Sequence, residues 1–561
     1  MNPERRRWLL RGGLGALVTL ALMLATQPFL QIGWDEGYTL GREARIRLWF
    51  RALADPAAFS ATWVPPREEL VQQEGAYPPR PDQVDSRWKL LFDPKVVAWF
   101  WPFAREEPHG HPPFYAWLGL VGDWLTPGWA DLPRARVGPM LLFSIAAGIL
   151  FGVLGSRWGI SAACAALAAW NLQPRLFAEG HFATYDGVLT SLWLLALIAF
   201  HRSEESVFSK NSTWLWRSWF GVLLGCAAAT KLTGWFLPIP LVAWAAVYRS
   251  RKSATTILVG LAIAAVVVFL LTPPWWSEPI SGLIRFFRSN LTRGKTIEIS
   301  VLFLGKRYAT PNESLPWYNT IALTFMVVPV GFLILALVGA ISTSYKRFRD
   351  PLAILFMINW LFFLTLRAAP HTPGHDGIRL FLPAFGMLAA LAGYGAKICA
   401  ESRRRWSRWI LPLSVAEGAA SVALMMPVPL SYYSPAVGML PGAAAIGMEP
   451  TYYWDALTPD AKAWLRQNTG EGQAIRFATF PHSWFYLRRT ADLPQRIVPW
   501  FAPGPAKWYV LQNRPGAFHP WDPAIIKDVE PAYVVRKLGV PLLWVFPDEQ
   551  VKRYLPERPP G

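Results

Sequence analysis

Cysteine is scarce in this chain: its 561 residues include three, Cys164, Cys226 and Cys399. Each lies in or beside an apolar run and no two show a paired or ligand-like spacing, which excludes a disulfide framework and a cysteine-based zinc motif. Also missing is an internal repeat of the kind that builds the paired halves of a transporter. The start, Met1 to Arg11, has the basic character of a signal peptide. The apolar run that follows, from about Trp8 to Ile32, is long and lacks a small-residue cleavage site, so it reads as a retained signal-anchor helix.

Apolar residues, by contrast, are abundant. They make up 53% of the chain, the mean hydropathy is +0.23, and they come in long blocks. The expectation is a mainly α, polytopic membrane protein. Counting about 20 apolar residues to a span, and fewer where neighbours shield the ends, gives about eleven transmembrane helices, at roughly 8–31, 136–156, 160–178, 186–201, 216–231, 234–249, 254–273, 317–341, 350–368, 377–397 and 408–427. The formal net charge of +18 does not point to nucleic acid, because the basic residues gather in short clusters between the apolar blocks. Arg5, Arg6 and Arg7, then Arg249, Arg251 and Lys252, then Lys346, Arg347 and Arg349, then Arg403, Arg404 and Arg405 all fall on one side of that arrangement. That side is read as cytoplasmic, with the N-terminus on it and the protein integral to the cell membrane. Many of the 31 tryptophans sit near block ends, where an amphipathic ring suits the headgroup region.

The long connecting segments then lie outside. The first outer loop, about 33–135, is rich in Pro and Trp, and its short apolar runs Trp88 to Phe103 and Phe114 to Leu125 read as juxtamembrane helices lying in the interface. A second, from about Pro273 to Trp317, is basic and reads as a solvated loop or a contact for anionic headgroups. Beyond about Pro429 the composition shifts. A capped helix is expected from Thr458-Pro459-Asp460, and strands at Ala474 to Phe480, Trp508 to Leu511 and Val540 to Phe546. The chain is accordingly divided into a transmembrane domain, 1–428, and a small outer α/β domain, 429–561.

Sorted by side, the ionisable residues concentrate at outer helix ends: Asp35 and Glu36 after the first span, Arg175, Glu179, His181 and Asp186 between the third and fourth, Lys231 between the fifth and sixth, and His371, His375, Asp376 and Arg379 between the ninth and tenth. Carboxylates beside converging cations at a lipid–water boundary suit a reaction in which a carboxylate deprotonates a hydroxyl while Lys or Arg stabilises a departing phosphate. Water-facing helix-end residues account for the same pattern. Glu417, midway along the last span, is an intramembrane acid with Gly418 and Ser421 close by, and is assigned a structural role in helix packing.

Five short motifs add a resemblance. Trp34-Asp35-Glu36-Gly37-Tyr38, His109-Gly110-His111-Pro112-Pro113-Phe114, Gly180-His181-Phe182-Ala183-Thr184-Tyr185-Asp186, Lys231-Leu232-Thr233-Gly234 and His375-Asp376-Gly377-Ile378-Arg379-Leu380-Phe381-Leu382-Pro383 occur in that order. Together they resemble the lipid-linked-sugar glycosyltransferases of the C-type superfamily, family 39 in particular, with its protein O-mannosyltransferases and the aminoarabinose transferases of lipid A. Gly447-Met448-Glu449-Pro450-Thr451-Tyr452-Tyr453-Trp454 is similar to a segment after the last span of some bacterial members.

The resemblance implies a hexosyl- or pentosyltransferase that moves a sugar, with inversion, from a polyprenyl-phosphate-linked donor to an acceptor hydroxyl or amine on the outer face. The acceptor would be a protein, lipid or glycan. It implies Asp35 as the base, with Glu36 orienting it or contacting the sugar, Asp186 binding sugar or acceptor, and Lys231 and Arg379 holding the donor phosphate. His111 contributes to the donor site, and His181 and Asp376 complete the substrate-binding set. No cofactor is implied. His371-x-x-x-His375 and His109-x-His111 have metal-ligand residue types, but Pro373 and Gly374 break helical spacing in the former. The alternative from another class is a transporter or flippase for an anionic polyprenyl lipid or glycolipid, which would use Lys231 and Arg379 but not Asp35 as a base.

Overall fold

A computed structural model of the chain describes residues 3–65, 77–103, 111–205, 210–296, 300–309, 313–345, 349–372, 374–452, 455–490, 492–493 and 496–556. His109, Gly110, Lys346, Arg347, Pro373, Tyr453 and Trp454 of the sequence motifs lie outside these. The molecule is a mainly α, polytopic membrane protein with a small sheet towards its C-terminus. Among the described residues, five helices are long and apolar enough to cross a bilayer: Arg7–Phe29, Asp131–Trp158, Arg251–Leu271, Pro351–Ala368 and Pro383–Glu401. Ile160–Leu172, Leu232–Tyr248 and Val330–Tyr345 are shorter apolar helices, and Pro174–His181 with Tyr185–Glu204 forms a pair bent by 102°.

Polar and charged contacts mark the two ends of the bundle. At one end Arg157 meets Asp350 at 3.2 Å, and Glu204 accepts from Ser253 at 2.7 Å. At the other, Asp186 meets Lys231 at 2.6 Å and Arg379 at 2.6 Å.

Several elements depart from the sequence reading. The run expected as one span at 317–341 is two helices, Asn319–Val327 and Val330–Tyr345, separated at Pro329. Pro329 has no N–H to donate and its ring disfavours a continuous helix, so the second helix begins with orphan N–H groups. Glu417 supplies their acceptors, taking Val330 N and Gly331 N at 2.7 Å each. An intramembrane carboxylate is thus spent on a helix start that lipid could not satisfy. Another departure is in the segment read as the first outer loop, where a 21-residue helix, Trp34–Ala54, runs from the acidic pair. Its apolar periodicity is hidden by Arg42, Glu43, Arg45 and Arg47, yet Arg42, Glu43 and Arg45 are buried. The short runs read as juxtamembrane do form helices, as Arg87–Phe92, Pro94–Phe100 and Phe114–Leu125. The second outer loop also contains a helix, Pro279–Thr296, with Ile280 and Ile284 exposed and Phe286 buried against the protein, followed by a hairpin of β1 (Val301–Phe303) and β2 (Lys306–Tyr308). The exposed apolar side suits an interfacial position rather than a solvated loop.

Towards the C-terminus, Thr458 caps the helix Pro459–Asn468. A five-stranded sheet follows, with β3 (Ala474–Phe477), β4 (Arg496–Pro499), β5 (Trp508–Gln512), β6 (Tyr533–Lys537) and β7 (Val540–Pro547) in the order β4-β3-β5-β7-β6. The three strands read from sequence are the buried inner ones. The two that sequence reasoning misses, β4 and β6, are the edges, where Arg496, Arg536 and Lys537 break the apolar pattern.

The helix Trp34–Ala54 carries a testable charge. Burial pushes the Glu43 carboxyl up to about 8, against the pull of Arg47 at 3.1 Å. A raised carboxyl stabilises the fold while protonated, and that contribution is lost as pH rises from the ordinary 4.5 through about 8. The melting temperature of the detergent-solubilised protein is therefore expected to fall across that window, and Glu43→Gln to flatten the fall. An equal slope in the variant would assign the effect to another group.

Candidate active site

The acidic pair divides at the first turn of its helix. Gly33 is the N-cap of Trp34–Ala54, and Glu36 reaches back to accept its N–H at 2.7 Å. The other face of the same carboxylate takes Arg136 in a fork, Nε to Oε1 and Nη2 to Oε2 at 2.7 Å each, and Oε1 also takes Ala183 N at 2.9 Å. Arg136 further donates to Leu30 O at 3.0 Å and Gln31 O at 2.8 Å. Glu36 and Arg136 are 0% and 1% exposed. This pair joins the exit of the first helix, the start of Trp34–Ala54, the helix Asp131–Trp158 and the bend before Tyr185.

Asp35, one residue earlier, points the opposite way, into a cavity. Its Oδ2 accepts from Tyr185 Oη at 2.6 Å and is bonded by Arg379 Nη2. The Arg379 guanidinium is divided among three aspartates: Nη2 to Asp35, Nε to Asp186 at 2.6 Å and Nη1 to Asp376 at 2.9 Å. Lys231 Nζ meets the second oxygen of Asp186 at 2.6 Å. The Tyr185 ring lies 4.9 Å from both cations, and the His111 ring is 3.9 Å from it. The turn that presents Asp376 and Arg379 side by side has both Asp376 and Gly377 left-handed, at φ 60° and 59°.

The cavity holds about 820 Å³. One wall is formed by Asp35, His111, Tyr185, Asp376 and Arg379 with Trp34, Tyr38, Arg42 and Tyr115. The facing wall comes from the C-terminal sheet and its loops, including Phe480, His482, Trp500, Phe501, Arg514, Phe518 and His519. Contacts at His482 help lock the walls together. Tyr38 Oη lies 3.0 Å from His482 Nε2, and Gly37 allows the approach: a Cβ there would sit 2.5 Å from His482 O. Arg476 on β3 shapes the loop bearing Trp500 and Phe501. It pairs with Asp548 at 2.8 Å and donates to Trp500 O at 3.0 Å and Ala502 O at 2.8 Å.

Of the residues singled out in the sequence, Asp35, His111, Asp376 and Arg379 line the cavity, and Asp186 and Lys231 stand directly behind them. Glu36 and His181 do not. Both oxygens of Glu36 are taken up as described, so it holds the loop rather than touching a sugar. His181 is buried, bonding Thr26 Oγ1 at 3.0 Å and Phe177 O at 2.7 Å, and so ties the first helix to the short helix Pro174–His181. Sequence reasoning misses Arg136 and Tyr185. An arginine opening the apolar run at 136 needs a buried partner, which is a readable signal; Tyr185 stands beside Asp186 in a motif quoted above but carries no charge to single it out. Among the described residues, no group of three or more His, Cys, Asp or Glu side chains is arranged to hold a metal ion.

Replacing Glu36 with Gln leaves the Arg136 charge buried without its counter-ion, at a cost of about 3–5 kcal/mol. The variant is expected to lose much of its folded yield in gel filtration and to melt well below wild type, whereas Asp35→Asn, at the cavity wall, retains the fold. Equal melting temperatures for the two variants would remove the structural assignment of Glu36.

No curated protein matches the chain by sequence. Two crystal structures of ArnT from Cupriavidus metallidurans, one apo and one bound to undecaprenyl phosphate, are similar to it at 19% and 18% identity. Each covers 96% of this chain and 98% of that one, with a TM-score of 0.49. The archaeal oligosaccharyltransferase AglB from Archaeoglobus fulgidus, in complex with an inhibitory peptide and a dolichol-phosphate, is similar at 12% identity over 89% of this chain and 69% of that one, with a TM-score of 0.44. Residues 110–276, which include His111, Asp186 and Lys231, match the family model described as dolichyl-phosphate-mannose-protein mannosyltransferase. Over that segment the chain is similar to this family, and the motifs around His111, Asp186 and Lys231 lie within the match.

Proposed function

We propose that the cavity is the active site of a membrane glycosyltransferase that takes a sugar from a polyprenyl-phosphate donor and passes it, with inversion, to an acceptor hydroxyl or amine. The carrying observation is the placement of Asp35: a carboxylate on the cavity wall, held by Tyr185 and Arg379, one residue from a partner committed to the scaffold. The family model over 110–276 supports a donor with sugar on a polyprenyl phosphate.

Asp35 takes the acceptor proton as the acceptor atom bonds to the sugar's anomeric carbon. The bond from that carbon to the phosphate oxygen breaks, and its electron pair leaves with the polyprenyl phosphate. Arg379 and Lys231 supply positive charge at the departing phosphate, and Asp186 holds both cations in register while no donor is bound. Asp376 fixes a third edge of Arg379. His111 rests against Tyr185, where it supports the donor end of the cavity. The aromatic residues Phe480, Trp500, Phe501 and Phe518 of the facing wall receive the acceptor, whose kind, protein, lipid or glycan, they leave open. On the charge pattern of the loops we place the N-terminus in the cytoplasm and the cavity with the C-terminal sheet outside.

Asp35→Asn keeps the shape of the side chain but cannot accept a proton. It is expected to lower transfer by at least about 100-fold, the smaller end of what a general base contributes. Mass spectrometry of lipids and glycans from cells carrying the wild type, the variant or neither reads this directly. Retained activity in the variant would favour the transporter reading, which needs no base. Orientation is checked separately: alkaline phosphatase fused after residue 556 is expected to be active, and an inactive fusion at normal expression would reverse the topology.

A further inference from the structure

The segment Gly447-Met448-Glu449-Pro450 has no part in the chemistry above, yet Glu449 is 0% exposed and its surroundings are closely fitted. Its Oε1 accepts from Leu302 N at 3.1 Å, and Gly516 leaves room for that oxygen: a Cβ at Gly516 would lie 2.1 Å from it. Its Oε2 faces Arg514 Nε at 3.3 Å, a charge pairing not aligned as a hydrogen bond. Arg514 in turn donates Nη2 to Asp376 Oδ1 at 2.9 Å, while Arg379 Nη1 takes the other oxygen of Asp376 at the same distance. The line of alternating charges therefore runs Glu449, Arg514, Asp376, Arg379, Asp35. Its first two members lie beyond the last membrane helix.

From this we infer that Arg514, held by Glu449, is a positioning residue for Arg379. It shares the charge of Asp376 and so leaves the Arg379 guanidinium available to the phosphate of a polyprenyl lipid. The inference rests on the proposed function, since it takes Arg379 as the phosphate-binding group. Charge balance supports it. Burial works against the charge of Arg514, but Asp376 and Glu449 outweigh it and hold the group above the ordinary arginine value, so its positive charge is secure. Burial pushes the Asp376 carboxyl up, and Arg514 draws it back. Without Arg514, the buried Asp376 has Arg379 as its nearest cation and draws it away from the cavity.

That account predicts the sign of a suppression, which a merely structural Arg514 would not produce. The probe is undecaprenyl phosphate without sugar, titrated by tryptophan fluorescence against the purified full-length protein in detergent. Arg514→Gln is expected to weaken binding by about tenfold, the scale of a single hydrogen bond to a charged group. Arg514→Lys, which keeps the charge, should recover most of the affinity. Asp376→Asn in the Arg514→Gln background should restore binding towards wild type, because the competitor for Arg379 is then gone. Glu449→Gln, which loosens Arg514 without removing it, should weaken binding less, and Asp376→Asn should suppress that loss as well. This second pair carries the test if Arg514→Gln does not fold. Wild-type affinity in both Arg514→Gln and Glu449→Gln would overturn the inference and leave the proposed function standing, as would losses that add rather than cancel when Asp376→Asn is introduced. If the wild type itself fails to bind undecaprenyl phosphate, the proposed function falls, and this inference with it.

Discussion

The buried fork between Glu36 and Arg136 is the contact on which the site depends. Two separate stretches of backbone meet at it, and both supply groups that would otherwise be unsatisfied away from water: the carbonyls of Leu30 and Gln31 with the N–H of Gly33 from one, and the N–H of Ala183 from the other. Burying two charges is costly, and such a pair adds little stability over an apolar replacement unless its remaining bonds are filled. Here they are filled, and the return is geometric. With Glu36 fixed, the first turn of the helix Trp34–Ala54 can present its neighbour in one direction only, and Asp35 emerges at the cavity wall.

A second level of organisation surrounds Arg379. Three aspartates and Lys231 gather within hydrogen-bonding range, from the helix Trp34–Ala54, the start of Tyr185–Glu204, the turn after Ala228 and the turn before Pro383. So dense a group of charges is tolerable because it is nearly balanced within itself. It is also easily rearranged, since an incoming phosphate offers the cations an alternative to the carboxylates. Under the proposed function, the cluster is a placeholder for the charge of the donor phosphate.

Much of this is readable from the residues. Apolar blocks reveal the membrane bundle, and sorting charged residues by side brings Asp35, Asp186, Lys231, Asp376 and Arg379 to one end on the sequence alone. The failures share a physical origin. Glu36 and Asp35 are adjacent and chemically alike, and which of them faces inward is decided by Arg136, a hundred residues later. The helix Trp34–Ala54 escapes notice because its buried positions are charged and paired, so the usual apolar stripe is absent. Pro329 breaks an expected span, but its cost is hidden because Glu417 offsets it from another helix. In each case a local pattern is overruled by one specific long-range partner.

The facing wall has a consequence for how the protein is made. Residues from Trp34 to Tyr185 and residues from Ala478 to Pro520 border the same cavity. A ribosome emits the first group early and the second near the end, so the emerging chain holds its acidic pair and its membrane helices long before the enclosure exists. Until the last strands form and His482 reaches Gly37, the cluster around Arg379 is an open groove without its outer wall. Completion of this enclosed chamber is therefore tied to completion of synthesis, and a prematurely terminated chain cannot form it.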